Sequence, residues 1–190
     1  MGSQPHWHTL PQNANSIGFE VADSSNLCRF DRCSSADAAV YRSPLGPGDW
    51  YFKRVARTVS GCNPGCTPHA PLTINSTNPF WSIVRTQPTI MVGQLVNKIG
   101  IDTGWKQGFV LQINQTVKRS AISYSGQAYA DFQTEGGDSG SPVLLDILGG
   151  TDTTVTLGGI HRARTGDGAY AVFSPWSGIL QMYPGLRVTL

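Results

Sequence analysis

From Val92 onward this chain is a succession of short apolar runs cut by glycine, a rhythm that suits strands and turns and leaves little room for helices. The runs expected to be extended are Gly108–Thr116, Ser120–Tyr129, Ser141–Leu148, Thr153–Leu157 and Tyr170–Phe173. The first half offers fewer: Ile17–Val21, Ala38–Tyr41 and Tyr51–Arg57, then Phe80–Arg85 and Gln87–Met91 leading into the second half. Residues 1–16 are polar and contain proline, so an irregular lead is expected there. With 22 glycines and 12 prolines among 190 residues, the chain is expected to be all-β.

Charge narrows the function classes. The net charge is only +2, 14% of residues are charged, and no basic run exists, which argues against nucleic-acid binding. The longest stretch without Asp, Glu, Lys or Arg, Thr58–Val84, is broken by Pro64, Pro68, Pro71 and Pro79, so it reads as a loop and not as a membrane span. No secretory apolar segment is visible at the N-terminus.

One motif carries chemistry. Glu135-Gly136-Gly137-Asp138-Ser139-Gly140-Ser141-Pro142 sets a serine between glycines and runs into the apolar Val143-Leu144-Leu145. A serine hydroxyl becomes a nucleophile only when a base takes its proton and backbone N–H groups hold the oxyanion it creates. Flanking glycines free the backbone to turn those N–H groups inward. The hydrolase elbow Gly-x-Ser-x-Gly is not matched, because Ser141 holds the last position and a strand follows.

Gly-Asp-Ser-Gly-Ser-Pro resembles the nucleophile motif of the chymotrypsin-like (trypsin-like) serine proteases, in the version common among bacterial members. Ser34-Ser35-Ala36-Asp37-Ala38-Ala39-Val40 resembles the segment of the family's acidic residue, and Asp37 precedes Ser139 as that family requires. Val92–Gly100 with Gly104-Trp105 and Gly108–Asn114 looks like the hairpin opening the second barrel. Leu157-Gly158-Gly159-Ile160-His161 resembles one wall of the specificity pocket. Ala171–Pro175 with a short helix at Ile179–Met182 resembles the closing segment.

The resemblance implies a double β-barrel, with a partial N-terminal barrel at 1–90 carrying Asp37 and a C-terminal barrel at 91–190 carrying Ser139. It implies a serine endopeptidase hydrolysing peptide bonds through an acyl-enzyme on Ser139. Gly137 and Ser139 would donate the oxyanion-hole N–H pair. Asp37 would orient the histidine, and Asp138 would hold the loop through a buried ion pair. Thr134 and His161 resemble positions that bind the substrate carboxylate in the glutamate-specific branch. There a protonated histidine would read an acidic side chain, and Arg162 and Arg164 would favour one too. The implied partner is a peptide or protein substrate, with no nucleic acid, membrane, metal or cofactor, in a secreted monomer.

The family's Thr-Ala-(Ala/Gly)-His-Cys-like segment is missing. His69 and His161 follow Asp37, against the family order, and His6 and His8 lie in the proline-bracketed Pro5–Pro11 stretch. The first half also has too few strands for a full barrel. The expectation is therefore either an N-terminally incomplete peptidase or a non-catalytic protease-like binding domain.

The cysteines form two tight pairs, Cys28 with Cys33 and Cys62 with Cys66. Two local disulfides are favoured over a four-cysteine zinc site, since neither pair has the usual two-residue gap.

Overall fold

The computed structural model describes residues 5–7, 16–23, 39–42, 54–58, 74–119, 122–147 and 152–186, the first three segments as backbone only. Asp37, expected to be the acidic member of the site, lies outside the described residues, as do His8 and His69. So do Cys28, Cys33, Cys62 and Cys66, and with them both expected disulfides.

A three-stranded antiparallel sheet is formed by β1 (Pro5–Trp7), β2 (Ser16–Asp23) and β3 (Ala39–Arg42), in that order. The expectation of an irregular lead is corrected at Pro5–Trp7 and Ser16, which are strand: His6 pairs with Gly18. Pro5 occupies the first position of β1, where a missing N–H costs the ladder least.

The larger sheet contains β4 (Arg54–Ala56), β5 (Phe80–Thr86), β6 (Leu95–Gly100), β7 (Gly104–Arg119), β8 (Ile122–Ala130), β9 (Pro142–Leu145), β10 (Thr154–Arg164) and β11 (Ala171–Pro175), followed by α1 (Trp176–Met182). Its order is β11-β8-β7-β6-β9-β10-β5-β4. β11 also pairs with β10, so β6 to β11 close into a ring of six antiparallel strands. β5 adds in parallel to β10, and β4 pairs with β5.

Strands appear where the apolar runs lie, with informative differences. Gln87–Met91 is not a strand; it leads into a turn at Val92–Gly93. β10 runs seven residues past its expected end at Leu157, because its first half pairs with β9 and its second half with β11. Gly158-Gly159 sits inside this strand because β11 comes close: a Cβ at Gly159 would run into the carbonyl oxygen of Ser174.

Period-2 alternation builds two cores from one strand. Val143 and Leu145 of β9 join Val96, Val110, Ala128, Phe132 and Phe173 in one cluster. Leu144, between them, joins Trp81, Ile99, Val155, Trp176 and Ile179 in the other, where β5 and α1 cover the sheet. Trp81 meets Trp105 edge to face at 5.0 Å between ring centres.

Candidate active site

Ser139 ends a single 3-10 turn, Gly136–Asp138, and is exposed. Gly140 follows with φ +88°, a left-handed conformation that glycine adopts freely. Two backbone bonds stitch this turn to β10: Gly140 N–H to the His161 carbonyl at 2.9 Å and His161 N–H to the Ser141 carbonyl at 2.8 Å.

Asp138 anchors the turn from below and is fully buried. One carboxylate oxygen accepts from Lys98 Nζ at 2.5 Å, Thr103 Oγ1 at 2.6 Å, Glu135 N–H at 3.0 Å and Thr134 Oγ1 at 3.3 Å. The other accepts from the N–H groups of Asp102 at 2.9 Å and Thr103 at 3.1 Å. Burial alone would push this carboxyl up, but the hydrogen bonds from Lys98, Thr103 and Glu135 outweigh it and hold it well below the usual carboxylate range. Burial pulls the Lys98 ammonium down from its ordinary value, against the opposing pull of Asp138. Gly100 makes the approach possible, since a Cβ there would overlap the Asp138 carboxylate.

Thr134 and His161 are brought together: Thr134 Oγ1 and His161 Nε2 are 2.6 Å apart, beneath the turn. His161 is 1% exposed and packs edge to face on Phe132. Burial, aided by the Lys98 charge, lowers its pKa to about 4, so the ring is neutral near pH 7.

Above the turn, Ser139 Oγ donates to the Arg162 carbonyl at 2.7 Å. The Gly137 N–H donates to the Asp102 carboxylate at 2.8 Å. Asp102 belongs to the tight turn between β6 and β7. A cavity of about 570 Å³ opens beside Ser139, lined also by Thr116–Lys118, Tyr129, Glu135, Gly136 and Arg162–Gly166. Neither Thr134 nor His161 lines it.

Lys98 and Asp102 were not singled out by sequence. Lys98 had a signal, a charged residue inside the apolar run Leu95–Gly100, which demands a buried counter-charge. Asp102 had none, because its contact depends on how the turn folds over Gly137.

The fold is the chymotrypsin-like fold of the bacterial serine proteases. Among similar solved structures are a chymotrypsin from Cellulomonas bogoriensis (22% identity, TM-score 0.57, covering 91% of this chain and 86% of that one) and protease A of Thermobifida fusca (21%, 0.56, 88% and 72%). A glutamic acid-specific serine protease that uses a histidine triad in substrate binding is another (19%, 0.53, 90% and 73%). No protein-family model matches the sequence, and no curated protein matches it at a significant level.

Proposed function

We propose that this chain is built as a serine endopeptidase acting on peptide or protein substrates, with Ser139 as the nucleophile. The observation that carries the reading is the buried Lys98–Asp138 pair, which anchors the turn presenting Ser139 at the rim of a cavity. The hydroxyl oxygen attacks the scissile carbonyl and an imidazole takes its proton. The oxyanion collapses to an acyl-serine as the C–N bond breaks, and the amine leaves with that proton. Water then hydrolyses the ester. Asp37 orients the imidazole, and the N–H groups of Gly137 and Ser139 hold the oxyanion. Residues 1–90 and 91–190 are the two halves flanking the cleft. The protein works as a secreted monomer, with one local disulfide joining Cys28 to Cys33 and another joining Cys62 to Cys66. Among the described residues no helix is long and apolar enough to cross a membrane.

An acidic preference belongs to the same reading. It is supported by Arg164 on the cavity wall and by the glutamic acid-specific protease among the similar folds. A second reading, a non-catalytic protease-like domain that binds peptides in the same cleft, is favoured by the bond from Ser139 to a carbonyl, which cannot take its proton.

A fluorophosphonate probe separates the two. In buffer alone, Ser139 is expected to label no more than a Ser139→Ala control, because the sequence has no histidine in the family's Thr-Ala-(Ala/Gly)-His-Cys-like context. Millimolar imidazole should supply the base and bring labelling that the control lacks. Labelling equal to the control under both conditions would leave the binding domain.

A further inference from the structure

We infer that Lys118, at the far end of the β7–β8 hairpin, reads an acidic side chain of the bound peptide, with Arg164 as its neighbour across the cavity. This rests on the cleft proposed above and relocates its selectivity from Thr134 and His161 to the hairpin.

The hairpin is shaped to deliver this residue. Its pairing shifts register between Val110 and Val117, and Asn114 sits at φ +58°, a left-handed position inside a strand. Such irregularities bend a strand and re-aim its side chains. Thr116, Val117 and Lys118 beyond them form one wall of the cavity.

The charges there do not balance. Three cationic residues, Lys118, Arg162 and Arg164, line the cavity with a single carboxylate, Glu135. Arg164 lies 3.5 Å from Glu135. The Arg162 guanidinium is stacked 3.4 Å over the centre of the Tyr124 ring and is buried. Lys118 is exposed, and its ammonium has no partner among the described residues. A carboxylate entering the cavity therefore finds an uncompensated cation and a second one only loosely paired, and it gains charge-assisted hydrogen bonds at little desolvation cost to the protein. His161 offers no such gain: it is neutral, buried and already engaged with Thr134.

The test measures binding, so it does not depend on turnover. Fluorescein-labelled tetrapeptide amides differing only at one residue, Glu, Gln or Lys, are titrated into the full chain by anisotropy at low and high salt. The Glu peptide is expected to bind about tenfold tighter than the Gln peptide at low salt, with the gap shrinking as salt rises. Lys118→Gln should erase that gap while leaving affinity for the Gln peptide unchanged, and Lys118→Glu should favour the Lys peptide. Because Lys118 is exposed, both variants are expected to fold; unchanged thermal unfolding checks this. Equal affinity for Glu and Gln peptides, no binding of any peptide, or a preference that survives Lys118→Gln would overturn the inference. Discrimination without imidazole-dependent labelling would remove the peptidase and keep the acidic site; labelling without discrimination would do the reverse.

Discussion

The ammonium of Lys98 lies 2.5 Å from the carboxylate of Asp138, and neither side chain is exposed. Burying such a pair brings little net stability over an apolar pair, but removing one partner strands a charge in the interior. Lys98→Met should therefore cost about 3–5 kcal/mol, read as a lower urea midpoint with an unchanged slope. A loss below about 1 kcal/mol would mean that the turn rearranges to rehydrate Asp138.

Acid should destabilise the protein in two overlapping windows. The folded state keeps His161 neutral down to about pH 4, whereas an unfolded histidine titrates near 6.5. As pH falls through that interval the unfolded chain binds a proton that the folded chain refuses, so stability drops by on the order of 3 kcal/mol. Asp138 has its folded pKa depressed, so its contribution is present above about pH 4 and is lost as pH falls further. Urea midpoints across pH 3–8 check both limbs. His161→Gln should flatten only the upper limb.

Asp102 accepts from the Gly137 N–H that the proposed oxyanion hole would use. Asp102→Ala removes the acceptor from Gly137 N–H while leaving the backbone bond from residue 102 to Asp138 intact. Imidazole-dependent labelling of Ser139 should then rise by about tenfold or more. The Gly137 amide proton should also move upfield in an NMR spectrum, and an unmoved resonance would show that the contact is absent in solution.

Gly100 should tolerate no side chain. The carboxylate it faces is pinned by six donors and cannot swing aside, so Gly100→Ala is expected to cost about 2–3 kcal/mol. Gly136→Ala, whose Cβ meets nothing within 4 Å, serves as the near-neutral control. Thermal unfolding of the two variants gives the comparison.

The serine turn was legible because its chemistry is local: six consecutive residues set the turn, the buried acid and the strand that follows. The strands of the second half were legible from glycine-punctuated apolar runs. Ring closure was implied only by the resemblance, which called for a C-terminal barrel; the apolar pattern alone did not carry it, because the β10–β11 pairing depends on a close approach at Gly159, where the apolar run is interrupted. Thr134 and His161 were expected together and meet at 2.6 Å; what the sequence did not signal is the burial of residue 161 against Phe132, which lowers the ring's pKa. Lys118 stayed hidden for a similar reason: only bulges in the hairpin bring it to the cavity.

The alternation along β9 has a consequence for how this site tolerates change. Sliding that strand by a single position would turn Leu144 inward and expel Val143 and Leu145, exchanging the lining of both cores at once. The address of Ser139 is thus written in side-chain parity that begins four residues downstream, at Val143. Inserting or deleting one residue between 139 and 143 should therefore be ruinous.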